Sequence, residues 1–323
     1  MNHDSMYWRK FDSHRSEGNM PGSFKFSSAQ FLADIQATAH AIGADYCPET
    51  TRRMLDTFTD GFHNGAVLWR TTSKPSGALN YRFYERRSTD TVAIATRAGL
   101  LNATDPVARL IKTWSGLYAD SAELCDFDAA AGLVKTWVFL GGMRPVTDLL
   151  VVPGVPEGIR RHEGTFDKLG LTSVRHVAVD YQHQSVNLYF RTAKGFSPTQ
   201  AQRFLSLTGA ELPTAAVLED IREFTAPSGY TFSVTMTGAT GKIERVGIYA
   251  LKLPAGRFPT IGDRLEEFFR AAPSRDDEEM NAIAWSFGAE GMQYLKAERS
   301  YCGRLVELMQ EWASPMTDIG SRA

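Results

Sequence analysis

Cationic and aromatic side chains recur two residues apart, an offset that puts both on one face of a β-strand. Asn80, Arg82 and Tyr84 alternate in one segment; Lys135, Trp137 and Phe139 do so in a second. His183, Ser185, Asn187, Tyr189 and Arg191 mark a third, Ser233, Thr235, Arg245, Gly247 and Tyr249 a fourth pair, and Lys296, Glu298 and Ser300 the last, with Arg70 alongside the first. So many cations on one sheltered face cannot stand unpaired. Glu298 is the only acid placed among them, so a polyanion such as a diphosphate suits Arg70, Arg82, Lys135, His183, Arg245 and Lys296, with Asn187 adding donors. Ring faces attract a cation by about 0.5–2 kcal/mol each when water is excluded. Trp137, Phe139, Tyr189 and Tyr249 therefore suit an allylic carbocation formed as diphosphate leaves. Singly, each group has an ordinary explanation: a solvated strand cation, a core aromatic, a Glu298–Arg299 pair, a His183 exposed beside a turn.

These residues sit on five pairs of short alternating segments, with turns near residues 75, 130, 183, 239 and 290. The first pair is Ala66-Val-Leu-Trp-Arg-Thr and Leu79-Asn-Tyr-Arg-Phe-Tyr around Lys74-Pro-Ser-Gly77, and the second runs from about Tyr118 to Leu140. Helix-like apolar spacing fills the intervals, around 31–42, 107–117, 159–169, 201–207, 261–269 and 305–312. Five hairpins make ten antiparallel strands, and an open sheet of that size leaves two unpaired edges, so closure is expected. The fold class is α+β: a ten-stranded antiparallel β-barrel with repeated αββα units and the helices outside. Residues 1–24 are expected to form a loose arm, 25–315 a single barrel domain and 316–323 a tail.

The 323 residues carry 35 Lys+Arg against 37 Asp+Glu, a net charge of −2 that argues against a general nucleic-acid binder. Cys47, Cys125 and Cys302 are odd in number and form no Cys-x-x-Cys pair, so neither a disulfide framework nor a zinc ribbon follows and a cytoplasmic location is expected. No apolar run has the roughly 18 residues needed to cross a bilayer. Phosphate-loop, dinucleotide, zinc-protease and serine-hydrolase motifs are absent. Asp276-Asp277-Glu278-Glu279 invites comparison with an Asp-Asp-x-x-Asp magnesium motif, but Met280 stands at the last position and a solvated acidic turn is expected.

The chain resembles the soluble aromatic prenyltransferases of the ABBA (αββα) barrel class, most of all the aminocoumarin-pathway 4-hydroxyphenylpyruvate dimethylallyltransferases. The resemblance rests on Leu68-Trp-Arg-Thr-Thr72, Leu79-Asn-Tyr-Arg-Phe83, Val134-Lys-Thr-Trp137, Val179 to Phe190, Thr240-Gly-Lys-Ile-Glu-Arg245, Trp285-Ser-Phe-Gly288 and Tyr294 to Tyr301, over about residues 28–313. It implies transfer of a prenyl group, as in secondary metabolism and antibiotic biosynthesis, from an allylic diphosphate to an electron-rich aromatic. It also implies that Arg82, Lys135, Arg245 and Lys296 bind diphosphate beside Asn187, and that Trp137, Tyr189 and Phe139 flank the prenyl chain. Magnesium-dependent members have an Asp where this chain has Asn80, which implies no metal or other cofactor, with dimethylallyl diphosphate as substrate. A Tyr of some members is Ser233 here.

The catalytic candidates are thus Arg82 and Lys135, which stabilise the leaving pyrophosphate, and Glu298, which takes the arenium proton or orients the acceptor. Glu298, Ser300, Phe232 and Ala284 are expected around an acceptor site at the wider barrel mouth. The partners are small molecules, without nucleic acid or membrane, and a monomer is expected. Acceptor identity, the atom prenylated and a five- or ten-carbon donor stay open, with bulky Trp137 favouring the shorter. A non-catalytic barrel holding an amphipathic anion is the alternative; a single-stranded nucleic-acid platform would need the same groups on an open surface.

Overall fold

The computed structural model describes residues 25–316 apart from 86 and 103, so the expected arm at 1–24 and the tail beyond Met316 lie outside the described residues. The strands are β1 (Ala66–Thr72), β2 (Asn80–Tyr84), β3 (Ala122–Asp128), β4 (Gly132–Pro145), β5 (Ser173–Asp180), β6 (Ser185–Arg191), β7 (Thr231–Thr237), β8 (Ile243–Ala250), β9 (Asn281–Gly288) and β10 (Gln293–Cys302). Each pairs antiparallel with its chain neighbours, and β10 returns to β1, so the sheet is a closed barrel. Closure removes the free edges that made an open sheet unattractive.

Alternation separates two apolar regions. Residues such as Val186, Leu188 and Phe190 on β6 point outward into the core shared with the helices, whereas Tyr189 points into the lumen with Trp137, Phe139 and Tyr249. In the outer core, Phe31 stacks on Trp69 with ring centroids 4.8 Å apart and planes at 8°. Helices start where the sequence supplies a cap: Asp90 accepts from the Ala93 amide at 2.8 Å, Asp105 from Val107 at 2.9 Å and Ser197 from Gln200 at 3.3 Å. Further helices, Pro48–Thr57, Thr91–Arg97, Val146–Leu150 and Ala215–Phe224, lie outside the intervals expected from apolar spacing. Pro48–Thr57 buries only Thr51, Met54 and Leu55, too few positions to mark a period.

One end of the lumen is plugged. Gly303 (φ 95°) and Arg304 (φ 62°) both occupy the left-handed region, and a Cβ on Gly303 would stand 2.4 Å from the Gly65 carbonyl oxygen. The turn carries the helix Leu305–Glu311 across the barrel end opposite the hairpin turns, where Leu305, Val306, Leu308 and Met309 join the lumenal apolar cluster. Trp312 then stacks on Phe139 at 4.0 Å and 9°. Asp276 of the acidic run accepts from the Arg304 and Leu305 amides, while Glu278 pairs with Lys252 and Glu279 with Arg299, as an acidic turn does.

Candidate active site

Cross-strand register decides which inward residues meet. One rung runs Leu68, Arg82, Asp126, Lys135, Asp180 and Ser185 from β1 to β6. A second runs Arg191, Thr231, Tyr249, Ala284 and Lys296 from β6 to β10, and Arg70 stands opposite Glu298 where β1 meets β10. Arg70, Arg82, Lys135, Arg245 and Lys296 are thereby gathered toward the hairpin-turn end, with aromatic rings below them and the plugging helix at the far end.

Asp126 organises the arginines. Arg82 donates to it through Nε and through Nη2 at 3.0 Å, Arg70 Nη1 donates at 2.9 Å, and Arg82 Nη1 donates to the Tyr84 hydroxyl at 2.8 Å. Glu298 lies 3.7 Å from Arg82, and Asp180 lies 3.8 Å from Lys135. Burial opposes ionisation of Asp126, yet Arg82 and Arg70 hold its carboxyl below the usual range; in return, burial lowers both arginines, but Asp126 together with Glu298 and a neighbouring tyrosine outweighs it and raises them.

Arg245 and Lys296 have no carboxylate at salt-bridge distance among the described residues. Arg245 donates to Thr235 Oγ1 at 3.2 Å and Lys296 to the Tyr249 hydroxyl at 3.3 Å. Burial, with Arg245, Arg70 and Lys135 adding repulsion, drives the Lys296 ammonium well below its ordinary value. Burial likewise brings Lys135 down to about 8, despite Asp180. Burial and mutual repulsion thus disfavour the charged form of both lysines, and an anion among them would relieve both effects.

The rings lie against this charge. The Arg82 guanidinium stands 4.2 Å from the Trp137 ring, Trp137 lies 4.3 Å from Tyr189, and Tyr189 meets Tyr249 edge-on at 6.0 Å. Buried nitrogens without partners, Trp137 Nε1, Asn187 Nδ2, His176 Nε2 and Arg70 Nε, line the same lumen. A cavity bordered by Trp137, Tyr189, Tyr249, Met280, Glu298 and Met309 continues from them toward the plug.

Several expected residues sit elsewhere. Phe232 points outward and stacks on Phe204 at 4.2 Å, because Ser233 and not Phe232 shares the rung of Tyr189 and Gly247. His183 is an exposed turn residue; its imidazole caps Asp180 at 3.1 Å instead of reaching the lumen. Ser300 faces inward but its hydroxyl serves the Met280 amide and Ser274. Ala284 lies between Tyr249 and Lys296, where its small side chain lets the ammonium reach the phenol, and Phe139 belongs to the plugged end. Glu298 is not the only inner acid: Asp126 and Asp180 share the first rung. The sequence reading also passed over Tyr294, whose ring lies 6.0 Å from both Arg245 and Lys296, and His176.

Among the described residues, no three His, Cys, Asp or Glu side chains come together as a metal site, and no helix is long and apolar enough to cross a membrane.

A closed barrel whose lumen joins clustered cations to an aromatic wall is the architecture of prenyl-transferring enzymes with aromatic acceptors. Residues 26–313 match the family described as aromatic prenyltransferase Orf2. The chain is 51% identical over 299 residues to an aromatic prenyltransferase of Sclerotinia sclerotiorum, covering 91% of this chain and 96% of that protein. It is 42% identical over 294 residues to the 4-hydroxyphenylpyruvate 3-dimethylallyltransferase of Streptomyces niveus, covering 91% and 90%. In fold it is similar to the prenyltransferase PriB in its ternary complex with L-tryptophan and dimethylallyl thiolodiphosphate, at TM-score 0.55 and 13% identity over 89% of this chain and 98% of that one. It is likewise similar to 5-dimethylallyltryptophan synthase from Streptomyces coelicolor, at TM-score 0.53 and 15% identity over 83% and 95%. The chain belongs to the aromatic prenyltransferase Orf2 family, and is an enzyme that transfers prenyl groups. A non-catalytic carrier is correspondingly disfavoured.

Proposed function

We propose that the lumen binds dimethylallyl diphosphate with its phosphates among Arg70, Lys135, Arg245 and Lys296, and its prenyl chain against Trp137 and Tyr189. The observation that carries this reading is the pair of half-buried cations, Arg245 and Lys296, that face the ring wall with no carboxylate at salt-bridge distance among the described residues. Arg82 neutralises charge on the bridging oxygen as the C–O bond breaks and both electrons leave with pyrophosphate. Trp137, Tyr189 and Tyr249 shelter the allylic cation, and a ring carbon of the aromatic acceptor in the neighbouring cavity attacks it. The arenium proton passes to Glu298, water or pyrophosphate. Side-chain cations supply the charge that a metal would otherwise bring, an effect strengthened where water is excluded. The enzyme acts as a monomer on small molecules, with no metal or other cofactor.

Incubating the protein with dimethylallyl or geranyl diphosphate, a panel of phenolic and indolic acceptors, and EDTA, followed by mass spectrometry, tests the reading. Prenylated product at an unchanged rate in EDTA is expected, and loss of all activity in the chelator overturns metal independence.

The depressed lysines give a second expectation. A bound diphosphate favours the charged form of Lys296 and Lys135, which burial disfavours, so binding takes up protons wherever the free lysines are neutral and the bound ones charged. Affinity for inorganic pyrophosphate should therefore fall as pH rises through about 8, the Lys135 value. Calorimetry in buffers of different ionisation enthalpy should register the uptake; a flat pH profile between 7 and 9 without uptake would remove both lysines from the anion site.

A further inference from the structure

We infer that His176 is an acceptor-specificity residue, its Nε2 reading a hydroxyl on the aromatic substrate; the inference rests on the cavity beside Tyr189 being the acceptor site. The position is created by an irregularity in β5. Val174 pairs with Phe190 but His176 with Tyr189, so two steps on β5 answer one on β6, and Arg175 bulges between them. Arg175 is then spent on the chain end that follows the plugging helix: it donates to the carbonyls of Trp312 and Ala313, the latter at 2.7 Å, and to Ser314 Oγ at 3.2 Å. His176 instead borders the cavity shared with Glu298, Tyr189 and Met309.

Aromatic rings surround the imidazole. Phe139 lies at 5.3 Å, Trp312 at 5.8 Å, Trp137 at 6.4 Å and Tyr189 at 6.5 Å. Its Nε2 is buried and meets no partner, unlike His162, whose Nε2 lies 2.7 Å from the Gly241 carbonyl oxygen, and His63, whose Nδ1 lies 2.9 Å from that of Thr59. A buried ring nitrogen left open at the edge of a cavity is completed by whatever fills it. Burial, and after it the charges of Arg175 and Arg82, lower the imidazole pKa well below its ordinary value and so favour the neutral ring. A neutral imidazole offers one N–H and one lone pair, which match a hydroxyl and cannot balance a carboxylate. The surrounding rings fit a flat, apolar body on that hydroxyl, so the class of acceptor is a hydroxylated arene.

The test compares binding of 2-naphthol and of its methyl ether, 2-methoxynaphthalene, to protein holding the unreactive dimethylallyl thiolodiphosphate. The wild type should prefer the naphthol by about 10-fold or more, because its O–H donates to the Nε2 lone pair and the ether has no proton to give. His176→Phe should abolish the preference by weakening naphthol binding while the ether binds as before, and His176→Gln should keep part of it. The ring-nitrogen NMR shift of His176 in the wild-type protein, moving with naphthol and not with the ether, reads the same contact where the Phe variant does not fold. Equal affinities in the wild type, an equal loss for both ligands in His176→Phe, or an unmoved ring shift overturns the assignment. Pyrophosphate release from dimethylallyl diphosphate is followed in parallel. If it is absent while the hydroxyl preference persists, the prenyl-transfer reading of the cavity fails and only the contact between His176 and a bound hydroxyl stands.

Discussion

Arg82→Ala is expected to lower kcat/KM for prenyl transfer by about 10²- to 10³-fold, the scale of losing one preorganised donor that faces developing negative charge. Arg82 is the side chain where the two halves of the lumen meet. It forks onto Asp126, reaches Tyr84 and Glu298, and lays its guanidinium on Trp137. It thus lies on the ring face assigned to the allylic cation, a face whose quadrupole attracts positive charge. Arg82→Lys should recover only part of the loss, since an ammonium keeps the charge but neither the planar fork nor the stack. The alanine variant should still fold, because Arg70 continues to pair Asp126, with stability lowered by about 1–3 kcal/mol for the contacts left open. Pyrophosphate release and a thermal melt check both parts; a variant within a few-fold of wild-type turnover removes Arg82 from the chemistry.

The closed barrel was legible because its cause is local and repeated. Each hairpin carries a period-two pattern and a turn at a regular interval, and ten strands leave few ways to hide their edges. Which residues face inward was also legible wherever the phase was clean, as on β6, where Ser185, Asn187 and Tyr189 alternate with Val186, Leu188 and Phe190. Register was not, because it depends on how each strand slides against its neighbour and on bulges that a single strand does not announce. An extra residue on β4, Val134, opposite the step from Asp126 to Phe127, and another on β5, Arg175, set which rung a side chain joins. Phe232 went to the wrong face for a related reason: an aromatic beside a polar alternation resembles the lumenal rings, and only pairing shows Ser233 in phase with them.

Asp126 was missed because β3 carries acids on both faces. Glu123 points outward, is buried, and accepts from the amide and hydroxyl of Thr91 at 2.7 and 2.6 Å, holding the start of the helix Thr91–Arg97. An alternating strand with carboxylates in either phase gives no indication of which one belongs to the cations. The charge balance of the lumen changes once Asp126 and Asp180 are placed. The site is not a bare cationic hole but a braced one, in which Asp126 and Asp180 pair Arg70, Arg82 and Lys135 while Arg245 and Lys296 have no carboxylate at salt-bridge distance among the described residues.

That bracing makes Asp126→Asn the substitution with the largest expected effect on stability. Removing the carboxylate leaves Arg82 buried and Arg70 half-buried without the charge that both share, and losing one partner of a buried ion pair such as Arg82–Asp126 costs about 3–5 kcal/mol. The same change raises the net positive charge facing the ligand, so pyrophosphate should bind the variant more tightly and restore more stability to it than to the wild type; a ligand at about 100 times its Kd adds about 2.7 kcal/mol. The pH dependence has a definite sign. Because Arg82 and Arg70 hold the folded-state pKa of Asp126 below its unfolded value, its contribution is complete above about pH 4 and is lost as pH falls through the lowered value. Urea unfolding of both proteins, with and without pyrophosphate, should show a gap that is wide at neutral pH, narrows in acid, and closes partly when the anion is present. Equal stability at neutral pH, or an equal response to pyrophosphate, would mean that Asp126 does not brace the site and that the arginines are held by their other contacts.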